Sequence, residues 1–221
     1  MLIVYDKRRW EILKRKREKA ISIMKKLAQF SPVVHGSVAR GDVNEESDID
    51  IAITFPVSPL SVEVALGSFS HGYIIQATPA STPKVYLALD YKEEVMVSFP
   101  LAKLSPREFE FYAFGGQLDL NGLLQGKRVP GVDKRLFLIL PRDEGHWEES
   151  IIGKEGEVAK LLGISQETVE ERVRLLSRRR EKGRTGVFIK IKFYGSVEEA
   201  LHNALRKNRA LKMSLLERGV I

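Results

Sequence analysis

The segment VVHGSVARGDVNEESDIDIAI, residues 33–53, constrains the fold more than any other part of the chain. From Asp48 to Ile51 it alternates acidic and aliphatic residues, and Ala52 and Ile53 follow. Successive side chains of a β-strand point to opposite faces, so residues two apart share a face and lie about 6.5–7 Å apart along the strand. A strand over DIDIAITF therefore buries its isoleucines in a core and projects Asp48 and Asp50 together from the other face.

Two carboxylates on one strand are suited to binding divalent cations. Mg²⁺ and Mn²⁺ prefer oxygen ligands, and pairs of ions about 3.5–4 Å apart hold the attacking and leaving oxygens of a phosphoryl displacement. The spacing therefore predicts Asp48 and Asp50 as catalytic residues and metal ligands, with Mg²⁺ or Mn²⁺ as the cofactor.

The turn that precedes these carboxylates is suited to binding an anion. Gly36 has no Cβ, so a phosphate can approach its backbone closely. Ser37 offers a hydroxyl and an amide at a predicted helix start, where anions bind favourably. Arg40 adds a fork of donors that matches phosphate oxygens. An anion-binding turn followed by a metal-binding strand indicates a site for a magnesium nucleoside triphosphate.

Composition excludes several other classes of protein and site. The 221 residues are 43% apolar, which is enough for a buried core in one large domain or two small ones. The chain has no cysteine, so disulfides, zinc–thiolate sites and cysteine nucleophiles are excluded. No apolar run approaches the roughly 20 residues that span a bilayer, and the N-terminal apolar stretch is too short for a signal peptide. We expect a cytoplasmic protein with no membrane partner.

The net charge of +7 is concentrated in two segments. Residues 7–26 carry ten Lys and Arg against two Glu, and residues 172–192 carry nine against one Glu. Charge segregated in this way favours a polyanionic partner such as RNA or DNA, although a solvated helix face has the same composition.

Hydrophobic periodicity predicts the remaining elements. Residues 7–29 form a helix with one apolar face, KVYLALDY and EVMVSFPL form an antiparallel pair of strands, SPREFEFYAF begins a helix, and KRLFLIL is a further strand. A change in composition places a domain boundary near residue 142, which gives domains 1–141 and 142–221. The expected class is α/β (α+β), a mixed sheet flanked by helices with a small C-terminal domain.

The C-terminal domain resembles a helix-turn-helix. The sequence EVAKLLGISQETVEERVRLL has two apolar-faced helices joined by a turn that Ser165 can cap. A small helical domain that binds protein instead of DNA has the same pattern. The strand that follows, GVFIKIKFY, is a candidate wing. Basic residues predicted to contact nucleic-acid phosphates are Arg174, Arg178, Arg179, Arg180, Lys182 and Arg184.

With these residues in view, GSVARGDVNEESDID resembles the signature of the DNA polymerase β-type nucleotidyltransferase superfamily. The resemblance implies transfer of a nucleoside monophosphate from a triphosphate such as ATP to an acceptor, with magnesium. It assigns Gly36 and Ser37 to the triphosphate and Asp48 and Asp50 to the metal ions. A fainter resemblance over residues 95–121 adds Gly115, Gly116 and Asn121 to the nucleotide site.

The same resemblance exposes a departure at the third carboxylate of the superfamily, because the aligned residue here is Met96. Asp90, Glu93 and Glu94 are the neighbouring carboxylates, and Asp90 is the candidate third catalytic residue. A two-residue turn at Lys92–Glu93 would point Asp90 away from the face of Met96, whereas a bulge or a longer turn would reverse that direction.

Three functions follow as hypotheses. The first is a Mg²⁺-dependent nucleotidyltransferase that acts on an acceptor, with nucleic acid favoured by the basic segments. The second is a nucleic-acid-binding regulator whose degenerate nucleotidyltransferase fold senses a nucleotide. The third is an enzyme that labels a protein. The sequence leaves the nucleotide, the acceptor and the oligomeric state open.

Overall fold

The computed structural model describes residues 1–183 and 186–221. These residues form two compact units that interleave along the chain. Of the described residues, unit 1 contains 1–22, 33–47 and 106–183, and unit 2 contains 23–32, 48–105 and 186–221. Neither unit coincides with the predicted domains 1–141 and 142–221. The predicted contact residue Arg184 lies outside the described residues.

The secondary structure mixes strands and helices along the chain, with runs of consecutive strands at β4–β6 and β8–β10. In chain order the strands are β1 (Leu2–Val4), β2 (Val33–His35), β3 (Ile49–Ala52), β4 (His71–Gln76), β5 (Lys84–Ala88), β6 (Val95–Pro100), β7 (Gln117–Asp119), β8 (Gly131–Val132), β9 (Phe137–Arg142), β10 (Gly145–Ser150) and β11 (Ile189–Phe193). The helices are α1 (Lys7–Lys26), α2 (Ser37–Arg40), α3 (Pro59–Leu66), α4 (Pro106–Gly115), α5 (Leu120–Leu124), α6 (Glu155–Leu162), α7 (Gln166–Lys182), α8 (Val197–Lys207) and α9 (Arg209–Glu217).

The helix predicted over residues 7–29 is observed as α1 followed by a short 3₁₀ turn over Ala28–Phe30. Its buried face includes Ile12, Leu13, Ala20, Met24 and Leu27. Three- and four-residue spacing of apolar residues places them on one face of a helix, and burial of that face stabilises it. The periodicity therefore predicts α1 correctly.

Unit 2 is built on a mixed sheet of five strands in the order β11-β4-β5-β6-β3. The β3–β6 pair is parallel, and the other three pairs are antiparallel. One face of this sheet is apolar and buried, as the exposed fractions of Ile51 (1%), Val97 (0%), Leu87 (0%) and Ile74 (0%) show. The predicted α/β class with a mixed sheet is confirmed.

Strand β11 belongs to this sheet because Ile189 to Phe193 pair with Gln76 to Gly72 of β4. The expectation of a wing beside the helix-turn-helix is therefore wrong for this strand. The alternation of apolar and basic residues in IKIKF fits a strand at the edge of a sheet as well as a wing, and the pairing partner lies more than 100 residues away in the sequence.

Unit 1 contains the β2–β7 pair and a four-stranded antiparallel sheet in the order β1-β10-β9-β8. Helices α6 and α7 pack onto this unit through a common core. Ser165 caps α7 by accepting a hydrogen bond from the Thr168 amide, as the sequence predicts. The core cluster draws on β8, β9, α4, α6 and α7, and its buried members are Phe114, Val132, Leu136, Leu138, Ile151, Val158, Ala159 and Val169.

Candidate functional site

The Gly36–Ser37 turn lies between β2 and α2 in unit 1. Gly36 has φ +80° and ψ −146°, a conformation that L side chains rarely adopt, so glycine is required at this position. Among the described residues, no heavy atom lies within 4 Å of the position that a Cβ would take. The space beside this backbone is therefore open to a ligand, as a phosphate-binding turn requires.

Ser37 is the first residue of α2 and is half-buried. Its hydroxyl makes no hydrogen bond within the described part of the chain. A hydroxyl can donate one hydrogen bond and accept two, so that of Ser37 retains its full capacity for a ligand. This arrangement agrees with the predicted role of Ser37 in binding an anion.

The Gly115–Gly116 segment supports the Gly36–Ser37 turn from within the fold. The Gly36 amide donates a hydrogen bond to the Gly116 carbonyl, with the two atoms 2.9 Å apart. Gly116 has φ +81°, and a Cβ there would lie 2.9 Å from the carbonyl oxygen of Pro130. The structure therefore gives this segment a supporting position, and direct contact of Gly115 or Gly116 with a nucleotide stays a prediction.

Arg40 is buried at 5% exposure and is held by hydrogen bonds on several sides. Its Nε and Nη2 donate to the two carboxylate oxygens of Asp42, each over 2.9 Å, and Nη1 donates to the Gly115 carbonyl over 2.5 Å. Paired in this way with Asp42, the guanidinium braces the turn. The predicted contact of Arg40 with phosphate stays a prediction, and the function proposed below does not use it.

Asn121 lies exposed in the short helix α5, and its carbonyl oxygen accepts a hydrogen bond from the Gln125 side chain over 3.3 Å. Asp119 caps that helix by accepting a hydrogen bond from the Gly122 amide. The amide group of Asn121 is accessible, and its predicted role at the nucleotide stays a prediction.

Asp48 and Asp50 belong to unit 2 and alternate with buried isoleucines as the sequence predicts. Ile49 and Ile51 are 3% and 1% exposed, whereas Asp48 is exposed and Asp50 is half-buried. Alternation within β3 therefore places Asp50 on the face opposite to the apolar core. Asp48 directly precedes the strand, and its position on the same face as Asp50 stays a prediction. The Asp50 carboxylate makes no hydrogen bond among the described residues, so its oxygens are available to a cation.

Met96 stands beside Asp50 on the neighbouring strand. The parallel β3–β6 register pairs Asp50 with Met96, and Met96 is half-buried. Paired residues of adjacent strands point to the same face and are separated by about 4.8 Å. A carboxylate at position 96 would therefore point to the same face as Asp50, and the structure has a thioether there.

Asp90 lies in the connection between β5 and β6, which is longer than a two-residue turn because Ala88 pairs with Met96. One carboxylate oxygen of Asp90 accepts hydrogen bonds from the amides of Lys92 and Glu94, and the other accepts from the amide of Val95, each over 3.0 Å. The side chain thus organises the turn. Its predicted role as the third catalytic carboxylate stays a prediction.

Glu93 interacts with strand β4. Its carboxylate accepts a hydrogen bond from the Tyr73 hydroxyl over 2.6 Å and lies 2.9 Å from Nε2 of His71. Hydrogen bonds from Tyr73 and then His71 hold the pKa of Glu93 below its usual range. Neither partner can be recognised from the sequence, because Tyr73 and His71 lie 20 and 22 residues before Glu93, on another strand.

The residues present fit a magnesium ion that completes its coordination with ligands from outside the protein. No group of three or more His, Cys, Asp and Glu side chains that could hold a metal ion occurs within residues 1–183 and 186–221. Mg²⁺ commonly binds one or two carboxylates together with phosphate oxygens and water. Asp48 and Asp50 supply this number of carboxylates.

The basic residues of α7 divide into a buried and an exposed group. The guanidinium of Arg172 packs over the rings of Phe111 and Phe114 at 4.9 and 5.9 Å, and burial lowers its pKa. The predicted nucleic-acid contacts that the structure describes are exposed, and they are Arg174, Arg178, Arg179, Arg180 and Lys182.

The turn between α6 and α7 is held by α4, because Ser165 and Thr168 both donate hydrogen bonds to the Glu110 carboxylate. These bonds, that of Ser165 first, lower the pKa of Glu110. A helix-turn-helix domain that binds nucleic acid stays a prediction.

Comparison with known proteins gives a match for the part of the chain that contains both the Gly36–Ser37 turn and the two aspartates. No helix among the described residues is long and apolar enough to cross a membrane. Neither the curated proteins nor the solved structures gave a match to the chain. Residues 7–95, less than half of the chain, match the family model of the nucleotidyltransferase domain, and this similarity supports a relationship to the nucleotidyltransferase superfamily and a general nucleotidyl transfer function.

Proposed function

We propose that this protein is a Mg²⁺-dependent nucleotidyltransferase that moves a nucleoside monophosphate from a triphosphate to an acceptor hydroxyl. The observation that carries the proposal is the Asp50 carboxylate on the polar face of β3, which makes no hydrogen bond among the described residues and lies two residues after Asp48. Ten residues separate Ser37 from Asp48, and the family match covers both. The acceptor class is a nucleic acid, because the exposed basic residues of α7 favour a polyanion.

In this proposal the Gly36–Ser37 turn binds the triphosphate through backbone amides and the Ser37 hydroxyl, which has no hydrogen bond to any residue that the structure describes. Asp48 and Asp50 hold the divalent ions, which when bound neutralise phosphate charge and orient the reacting oxygens. The acceptor oxygen forms a bond to the α-phosphorus, the bond from that phosphorus to the bridging oxygen of the β-phosphate breaks, and pyrophosphate leaves. The acceptor proton passes to water, because Met96 offers no base beside Asp50.

Incubation with each nucleoside triphosphate, labelled at the α-phosphate, together with Mg²⁺ and mixed RNA or DNA tests the proposal. We expect label to appear in the nucleic acid for one or more nucleotides and to require Mg²⁺ or Mn²⁺. Label transferred only to protein would point to the protein-labelling hypothesis and would contradict the proposed acceptor.

A second candidate function is a nucleic-acid-binding regulator that senses a nucleotide without transferring it. Met96 favours it, since its position beside Asp50 lacks a carboxylate. Saturable triphosphate binding with no label transfer in the same assay would support this function over the enzyme.

Replacement of Met96 by Asp is expected to raise the rate of nucleotidyl transfer. The new carboxylate would point to the same face as Asp50 and add an oxygen ligand or a base, and a positioned base contributes about 10²–10⁴-fold. We expect an increase of at least about 10-fold in kcat, measured with labelled triphosphate under saturating Mg²⁺. Met96→Asn is the matched control, because the Asn side chain has nearly the shape of Asp but carries no charge. Equal rates for the two variants would show that position 96 does not contribute to the reaction.

A further inference from the structure

An exposed group of aromatic and basic side chains lies at the β11 edge of the unit 2 sheet. The β4–β11 register pairs Tyr73 with Lys192, and Ile189 and Phe193 of β11 are buried on the opposite face. Lys190 and Lys192 are exposed, and Tyr194, directly after the strand, is 69% exposed. Alternation along the strand thus places Lys190, Lys192 and Tyr194 on one face.

We call this surface the β11 platform. It consists of the exposed Lys190, Lys192 and Tyr194 together with Tyr73, which is 8% exposed and packs against both lysines. The Lys190 ammonium lies 4.5 Å from the centre of the Tyr73 ring, and that of Lys192 lies 5.6 Å from Tyr73 and 5.4 Å from Tyr194. A lysine is charged at neutral pH at its ordinary pKa, and hydrogen bonding to Tyr194 raises the pKa of Lys192 further. Two cations are therefore held beside two aromatic rings.

The platform shares a sheet face with the Asp50 carboxylate. Across the strands, Asp50 pairs with Met96, Met96 with Ala88, and Ala88 with His71. The Tyr194 ring lies 6.1 Å from the His71 ring, which continues the same row onto β11. Four steps of about 4.8 Å between strands place Tyr194 roughly 19 Å from Asp50 on the same face of the sheet.

An exposed aromatic ring beside lysines, as Tyr194 lies beside Lys192, is a combination that binds single-stranded nucleic acid. Unpaired bases stack on exposed rings, and ammonium groups bind the phosphates between them. Lysines on an edge strand also have a protective role, because they hinder that strand from pairing with the strands of other molecules and so prevent aggregation. This role alone would explain Lys190 and Lys192. That explanation leaves the exposed ring of Tyr194 unaccounted for, since an exposed ring does not protect an edge.

We propose that the β11 platform binds a single-stranded nucleic acid, with a base stacked on Tyr194 and phosphates bound by Lys190 and Lys192. The inference that this strand is the acceptor rests on the proposed function, because the platform and Asp50 share one face. Binding at the platform itself does not require the transfer reaction.

Glu93 modifies this surface. Its carboxylate is 43% exposed and is hydrogen-bonded to Tyr73. Like charges repel, so this carboxylate opposes the approach of phosphate. We therefore expect Glu93→Gln, which keeps an oxygen that can accept the Tyr73 hydrogen bond, to bind the nucleic acid a few-fold more tightly than the wild type.

The affinity for a labelled single-stranded oligonucleotide of about 15 nucleotides, measured by fluorescence anisotropy, tests the platform directly. The oligonucleotide is prepared as RNA and as DNA of the same sequence. Tyr194→Ala is expected to weaken binding by about 10-fold because one stacked base is lost, whereas Tyr194→Phe keeps the ring and binds as the wild type does. The Lys190→Ala, Lys192→Ala double variant is expected to reduce the slope of log K against log salt by about 1.4, since each phosphate contact of a single strand contributes about 0.7. The exposed residues Lys134 and Lys212, replaced together by Ala, are the matched control.

Wild-type affinity in the Tyr194→Ala variant, or a duplex that binds as tightly as the single strand, would overturn the platform. Tighter binding of the RNA or of the DNA oligonucleotide would show which of the two nucleic acids the platform binds. Measured in an Asp50→Asn background, the same binding should persist without transfer, so failure of the platform and failure of the proposed function are distinguishable.

Discussion

Replacement of Asp50 by Asn is expected to lower the rate of nucleotidyl transfer by at least about 10²–10³-fold while leaving the fold intact. Asn has the shape of Asp but lacks the charge that holds a divalent ion. Asp50 is half-buried and makes no hydrogen bond among the described residues, so the exchange removes no internal contact of its side chain. The loss should appear in kcat with labelled triphosphate and saturating Mg²⁺, and Asp48→Asn should act in the same direction.

Glu46→Gln is the matched control for this experiment. Glu46 is an exposed carboxylate four residues before Asp50, in a turn instead of a strand. Its neutral variant should transfer at the wild-type rate. If Asp50→Asn retained the rate of the Glu46 variant while folding normally, Asp50 would have no part in the chemistry.

Replacement of Arg40 by Ala is expected to destabilise the protein by about 3–5 kcal/mol, because it leaves the Asp42 carboxylate buried without its partner. The side chains of Arg40 and Asp42 are 6% and 9% exposed. The Asp42 carboxylate left behind by the substitution therefore cannot reach water unless the structure opens locally. Urea denaturation followed by circular dichroism measures the change. Arg40→Lys keeps the charge but loses the two-pronged contact, and we expect an intermediate loss.

Arg8→Ala is the matched control for Arg40. Arg8 pairs with Glu45 over 3.6 Å, and its side chain is 76% exposed. Exposed ion pairs contribute about 0–1 kcal/mol, so this variant should unfold close to the wild-type urea midpoint. A wild-type midpoint for Arg40→Ala, combined with weakened triphosphate binding, would instead assign Arg40 to the phosphate, as the sequence alone suggests.

The sequence predicts the local features of this protein well, because short-range periodicity fixes them. The alternation in DIDIAI sets which side of β3 carries Asp50, and no distant contact is needed to decide it. The two helices around Gly163 follow from apolar spacing and a serine cap. The structure has strand β3 and helices α6 and α7 where the sequence predicts them.

The sequence is not sufficient to predict which strands pair when they lie far apart along the chain. Strand β11 finds its partner in β4 across more than 100 residues, and an alternating run of lysine and isoleucine gives no indication of which strand it joins. The β11 platform is invisible without that pairing, since Tyr73 and Lys192 become neighbours only through it.

The sequence also does not show which charged side chains are buried inside the fold. Arg40 follows a Gly-Ser turn and is suited to binding phosphate, yet Asp42, two residues later, takes its guanidinium into the fold. The signal was present in the sequence, because an Arg and an Asp so close together can pair. Asp90 is similar, since Asp side chains often accept hydrogen bonds from the backbone of their own turn.

The most direct test of the central claim is the binding of Mn²⁺, measured by electron paramagnetic resonance in the presence of a non-hydrolysable triphosphate. We expect the wild type to bind Mn²⁺ together with the triphosphate and the Asp48→Asn, Asp50→Asn double variant to lose this binding, whereas the Glu46→Gln control retains it. Equal Mn²⁺ binding by the wild type and the double variant would show that these two carboxylates do not hold the metal ions, and the proposed function would then be wrong.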